Sequence, residues 1–298
     1  MSAGGSACRA PVAALPVTAA GSPTGRILGR GRGPLLARLF APAGPPWECR
    51  LTRAGADVVV VPGRYCVTYL LLGNGTVGVV DVGSQADIEA ILDALSRAGR
   101  SAADVRWVMP THLHFDHVMG IDAFARRLGI PVALGAVAHA GVTGRRRLRF
   151  PHWLWLCRAI PTWPMQGMPF PPITDWRYAF THGFPGSRTP FGSTLLGPLA
   201  HGTELPGLPG WKLLDGPGHA DDAILLHHAA SGLLIAGDTV RNFYGGEWNP
   251  LLCDRGDYAR TQATIRALHV ETVLPAHGPV VEGPSVVERL RSYPPYVP

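Results

Sequence analysis

The chain has 298 residues, 46% of them hydrophobic, and a formal charge of +6 from 27 Lys and Arg against 21 Asp and Glu. That length and apolar content exclude a disordered chain and suit one large single-core domain or two small ones. Lys212 is the only lysine, so mechanisms that need several active-site lysines are excluded, and the cation excess leaves nucleic acid, an anionic membrane surface or acidic substrates as candidate partners.

Residues 1–47 contain five Arg and no acid, are rich in Ala, Gly and Pro, and lack sustained periodicity. They are expected to form a flexible basic arm. A targeting segment, a disordered arm and an overlong gene start all fit this composition. From residue 48 a single domain is expected to run to 298. The β-rich runs 58–61, 66–72 and 77–82 are split by Pro62-Gly63 and Gly73-Asn74-Gly75, which predicts an antiparallel start to a sheet. Ile88, Ile91, Leu92 and Leu95 predict a helix over 86–98. A short strand at 105–109, a helix at 121–128 and a strand at 131–134 follow.

The interval 141–200 breaks this rhythm with clustered Arg, many prolines and four of the eight Trp. Strands are predicted again at 211–214, 223–227, 233–236 and 272–274, with helices at 258–268 and 285–293. Strands mixed with helices, with hairpins near the start, predict an α/β sandwich rather than a doubly wound parallel sheet. Five scattered Cys without CxxC spacing point to reduced thiols and a cytoplasmic location. No run of apolar residues is long enough to predict a spanning helix.

The densest chemical signal is Thr111-His112-Leu113-His114-Phe115-Asp116-His117, between a predicted strand and a predicted helix. Three His and one Asp in six positions form a nitrogen and oxygen donor set suited to zinc, iron or manganese. Downstream, His219 in Gly-Pro-Gly-His, Asp238 in Ala-Gly-Asp-Thr and His277 in Pro-Ala-His-Gly each follow a short apolar strand. Strand ends are where a scaffold can aim side chains into one site.

These residues resemble the metallo-β-lactamase superfamily. Residues 112–117 match its HxHxDH signature, and His219, Asp238 and His277 follow in the family's order. The resemblance implies a four-layer αββα sandwich with the site at one edge between the sheets, carrying here an irregular aromatic insertion. It implies that His112, His114 and His219 bind one metal, that Asp116, His117 and His277 bind a second, and that Asp238 bridges. The cofactor is then two Zn2+, with Fe or Mn as alternatives. Asp81, in Val-Val-Asp-Val-Gly, would hold the ligand loop through hydrogen bonds. Two dications lower the pKa of a shared water, and Asp116 would orient the resulting nucleophile and pass its proton onward.

Three departures bear on the subfamily. Met119-Gly120 stands where many relatives have Gly-Gly. Asp221 and Asp222 follow His219 where hydroxyl and small residues are commoner, and capping a turn is their first expectation. Phe115 in the signature resembles quorum-quenching lactonases, but their tyrosine three residues past the bridging Asp is replaced by Arg241, with Tyr244 as a substitute.

The insertion 141–200 carries seven Arg against the single acid Asp175. Its functional reading is a lid whose aromatics, Trp153 and Trp155 among them, line an apolar substrate pocket, with Arg145 placed for an anionic group or a lipid headgroup. Its plain reading is a cover layer with solvated arginines, and the two are compatible. Peripheral membrane contact fits Arg beside Trp and Phe, although the prolines prevent a long amphipathic helix. Nucleic acid is disfavoured, because nucleases of the superfamily carry a small residue where Phe115 sits. The leading expectation is therefore a dinuclear hydrolase of an ester, lactone or thioester of a fairly apolar small molecule. A phosphodiesterase or nuclease and a mononuclear iron enzyme of the persulfide-dioxygenase kind are the alternatives.

Overall fold

The computed structural model describes residues 48–149, 175, 178, 181–183, 189, 191–243 and 245–294. The first sheet begins as an antiparallel meander of β1 (Cys49–Arg53), β2 (Ala56–Pro62), β3 (Val67–Leu72) and β4 (Val77–Val80). Helix α1 (Ile88–Arg97) then crosses to β5 (Val105–Met109), and helices α2 (Phe115–Val118) and α3 (Ile121–Leu128) cross to β6 (Val132–Gly135). Helix α4 (Ala136–Val142) leaves β6, and β7 (Leu195–Leu199) closes a seven-stranded sheet. The pairs from β4 to β7 are parallel, which is why helical crossovers replace hairpins there.

The second sheet holds β8 (Glu204–Leu205), β9 (Leu208–Asp215), β10 (Ile224–His228) and β11 (Leu233–Gly237). After a ribbon of β12 (Val240–Arg241) and β13 (Glu247–Trp248), helix α5 (Arg255–Ala267) crosses to β14 (Thr272–Pro275), and β15 (Val281–Glu282) follows. The six strands lie in the order β15-β14-β11-β10-β9-β8.

Period-two alternation sorts the strand residues into layers. Val58, Val60, Tyr69 and Leu71 share an apolar cluster with Leu213, Leu226, Ile235 and Leu274 of the second sheet. The alternate residues Val59, Val61 and Leu70, with Val79 of β4, pack instead with Ile91 and Leu95 of α1 and Phe124 of α3. Leu214, Leu225, Leu234 and Val273 pack with Tyr258 and Ile265 of α5. Three apolar layers therefore separate four structural ones, giving the αββα sandwich.

The structure departs from the sequence expectation in several places. β1, α4 and β7 had no predicted counterpart, and β7 shows that the end of the interval 141–200 belongs to the first sheet. The helix predicted over 285–293 is a run of turns over 284–289, with Ser285 at φ 50°, and Val286, Val287 and Leu290 are buried without regular helical bonding. Cys66 and Cys253 are free thiols, but Cys49 is disulfide-bonded, against the expectation of reduced thiols throughout. The basic arm, 1–47, lies outside the described residues. Among the described residues no helix is long and apolar enough to cross a membrane.

Candidate metal centre

All the candidate ligands lie past the ends of strands, in the turn or short helix that follows. His112 and His114 follow β5, Asp116 and His117 lie on α2, and His219, Asp238 and His277 follow β9, β11 and β14. The structure brings all seven together at one edge of the sandwich. Their ligand atoms group within 4.8 Å as His112 with His114 and His219, as His112 with His117 and Asp238, and as Asp116 with His117 and His277. One further group joins Cys66 and Asp81 to His117.

The hydrogen bonds around the cluster fix which ring atoms face inward. His219 Nδ1 lies 2.6 Å from the Leu251 carbonyl, which makes Nδ1 the protonated donor and leaves a lone pair on Nε2. That Nε2 faces His114 Nδ1 at 3.1 Å. His117 Nδ1 donates to Asp81 Oδ2 at 3.0 Å, which again frees Nε2. Asp81 is fully buried at φ 59°, and it also accepts from the Thr111 backbone at 2.6 Å and the Thr111 hydroxyl at 2.8 Å. It thus ties the start of the candidate-ligand loop at Thr111 and orients His117.

The buried Nε2 atoms of His112 and His117 and Oδ1 of Asp238 make no hydrogen bond. Buried lone pairs that converge without a donor between them fit a cation, and nitrogen and oxygen donors fit zinc, iron or manganese. Electrostatics divides the cluster. Burial and neighbouring imidazoles hold His112 well below the usual histidine range and His114 down to about 3, so both are neutral and ligand-competent. Burial also disfavours charge on His277, yet Asp238 and Asp116 beside it raise the imidazole to about 9. His117 is raised in the same way by Asp81, Asp238 and Asp116 against the effect of its burial.

Other sequence candidates fall differently. Asp222 is no turn cap: its Oδ2 accepts from the backbone of Leu113, between two candidate ligands, at 2.8 Å. Burial raises that carboxyl to about 7. Asp221 instead takes Arg149. Gly216-Pro217-Gly218 allows a close approach, but to α5 rather than to the site: Gly218 has φ 131°, and a Cβ there would lie 2.4 Å from Tyr258 Cα. Arg145 is exposed and donates to Thr143 and to His139 of α4, so none of these contacts is with the seven candidate ligands. Trp153, Trp155 and Tyr244 lie outside the described residues. Cys66 had no spacing signal in the sequence, and only the fold puts its thiol beside Asp81 and His117. Of the insertion, Asp175 is buried and accepts from Tyr65 at 2.8 Å and Ser84 at 2.9 Å, which seats that residue beside the ligand loop.

The family model of the metallo-beta-lactamase superfamily matches residues 61–277, and the chain belongs to that superfamily. It is 23% identical over 239 residues to the probable metallo-hydrolase YqjP of Bacillus subtilis (strain 168), covering 75% of this chain and 70% of that protein. A shorter match, 38% identical over 85 residues, is to a hydroxyacylglutathione hydrolase of Anaeromyxobacter dehalogenans (strain 2CP-C) and covers 28% of this chain and 29% of the relative. A solved metallo-β-lactamase family protein of Thermus thermophilus superposes with a TM-score of 0.51 at 23% identity, covering 79% of this chain and 76% of the other. A subclass B3 metallo-β-lactamase with an active-site glutamic acid gives 0.52 at 15% identity, covering 79% and 83%. These structural likenesses show the shared fold. Family membership and the hydrolase relatives together define the protein as a metallo-hydrolase.

Proposed function

We propose that this metallo-hydrolase works with two divalent ions, zinc first among them, and cleaves an ester, lactone or thioester of a fairly apolar small molecule. The observation that carries the two-ion reading is Asp238. Its Oδ2 lies 3.3 Å from His219 Nε2, while its Oδ1 lies 3.3 Å from His117 Nε2 and 3.2 Å from His277 Nε2. One carboxylate thus faces both histidine groups with a separate oxygen. His112, His114 and His219 would hold one ion, Asp116, His117 and His277 the other, and Asp238 both.

When bound, the ions supply Lewis acidity and lower the pKa of water toward neutrality. The chain does the rest. Burial keeps His112 and His114 neutral. Asp81 holds His117 in the tautomer that offers Nε2. Asp116, with 14% of its side chain exposed, would orient the attacking water and accept its proton. Phe243, whose ring centroid is 6.3 Å from that of His277, adds an apolar flank that suits an acyl substrate. The local match to a hydroxyacylglutathione hydrolase supports acyl hydrolysis as the reaction class. The insertion, through Trp153, Trp155 and Arg145, and the loop at Tyr244 are the candidate substrate walls, and lipid contact through the insertion is a further reading of the same composition.

The test is a panel of ester, lactone, thioester and phosphodiester substrates on protein of known metal content. Turnover of an acyl substrate that is lost on chelation and restored by zinc is expected. A metal-loaded protein that cleaves only the phosphodiester overturns the substrate assignment.

A further inference from the structure

The loop that carries His219 is fastened along its first half to the segment around the start of α5. The Gly218 carbonyl accepts from the backbones of Cys253 at 2.8 Å and Asp254 at 3.1 Å, and the Pro217 carbonyl accepts from the Thr261 hydroxyl at 2.7 Å. His219 itself donates to the Leu251 carbonyl at 2.6 Å. The second half, Asp221 and Asp222, has no comparable tie to α5 of its own among the described residues. Arg149 makes that tie. Its backbone N–H donates to Asp221 Oδ2 at 2.8 Å and its Nε to Asp221 Oδ1 at 2.8 Å. Its Nη1 reaches Asp254 Oδ2 at 2.9 Å and its Nη2 reaches Asp257 Oδ2 at 2.8 Å.

We propose that Arg149 is a positioning residue for His219, joining the loop that carries this histidine to the N-terminus of α5, so that metal retention at the His112, His114 and His219 group depends on it. The inference rests on the two-ion reading given above. Three features of the contact support it. The planar guanidinium fork serves carboxylates from two separate segments at once, a geometry that a lysine cannot reproduce. Asp254 cannot turn away when the arginine is lost, because its Oδ1 caps α5 by accepting from the Asp257 backbone at 2.8 Å. The Asp221 side chain is only 2% exposed, and its other cation, Arg146, stands 3.8 Å away. A single exposed ion pair contributes little. Here, removal of the cation leaves a buried carboxylate facing two others.

A cavity of about 150 Å³, lined by Arg149, Asp221, Asp222 and Asp257 among others, adjoins this ion-pair network and gives Asp221 room to swing away. Asp221 is two residues from His219, whose Nε2 must stay matched to His114 Nδ1, 3.1 Å away. A shift of the loop therefore reaches one group of ligands and leaves Asp116, His117 and His277 in place.

The experiment is chelator competition with zinc on the full chain, comparing the natural protein with R149A, R149K, D221A and R149A/D221A, beside thermal unfolding of each metal-free form. R149A is expected to lose one of its two ions at roughly tenfold or more lower chelator concentration while keeping the second, the scale set by partners that orient metal-binding histidines. D221A is expected to lose as much, the double variant no more than either, and R149K to recover part. If R149A does not fold, D221A carries the test, because it leaves Arg149 paired with Asp254 and Asp257. Retention of both ions within twofold of the natural protein, or equal weakening of both in step with a lower unfolding temperature, overturns the proposal. A natural protein that binds fewer than two ions overturns the two-ion reading instead.

Discussion

Replacing Asp81 with Asn isolates what this buried carboxylate does for the cluster. The left-handed φ of 59° is one that Asn tolerates, so the backbone has no reason to move. An amide oxygen can still accept from the Thr111 backbone, now 2.6 Å from Oδ1. Its NH2 group then points at His117 Nδ1, 3.0 Å from the present Oδ2, and donor meets donor. The imidazole must move its proton to Nε2, the atom that faces Asp238 at 3.3 Å. Losing a hydrogen bond to a charged group costs about 1.5–3 kcal/mol. Partners that orient metal-binding histidines are worth about 10–100-fold in affinity, or about 1.4–2.7 kcal/mol. The two estimates agree, so zinc affinity by chelator competition should fall about 10–100-fold in D81N. Its metal-free form should lose only about 1–3 kcal/mol of stability. Affinity within twofold of the natural protein would refute the argument that Asp81 sets the His117 tautomer.

Two further outcomes concern the scaffold. Burial raises the Asp87 carboxyl from 3.8 to about 6, despite the Arg64 backbone N–H bonded to it. Between those values the folded chain keeps a proton that the unfolded chain releases, so stability falls as pH rises through that window. D87N should therefore be more stable than the natural protein at about pH 7.5 by on the order of 2–3 kcal/mol and gain nothing at about pH 3.5, as read from urea midpoints. An equal difference at both pH values would contradict this. Gly218→Ala should lower stability by roughly 3 kcal/mol or more, because both its φ of 131° and the backbone of Tyr258 exclude a Cβ. A variant with an unchanged unfolding midpoint would show that the loop yields more easily than its packing suggests.

The sequence made the candidate ligands legible because each follows an apolar strand whose alternation or length is plain, as in 233–236 before Asp238. The sheet around them was legible for the same reason, since Val58 to Val61 alternate between two apolar layers. β1 escaped notice because only Cys49 and Leu51 of Cys49–Arg53 are apolar and buried, while Arg50 and Thr52 alternate with them on the exposed face, so the run reads as polar. β7 escaped because Gly197 and Pro198 lie within it and it belongs to an irregular interval. The predicted final helix misled because Val286, Val287 and Leu290 have helical spacing, but turns bury them equally well. The supports of the site were hidden more deeply. Leu113 meets Asp222 across 109 positions and Arg149 meets Asp221 across 72, and no local pattern announces either contact. The excess positive charge also changes meaning in the structure, since Arg149, counted among the cations of the basic interval, is bound to three carboxylates.

The central claim is a hydrolytic site that needs two ions, and stepwise reconstitution tests it most directly. Metal-free protein is titrated with zinc while bound metal per chain and hydrolysis of an ester, lactone or thioester are followed together. Acyl turnover that rises with the second equivalent and levels off at two ions per chain is the predicted result. Full turnover with one ion per chain, or two bound ions with no acyl hydrolysis, would contradict it.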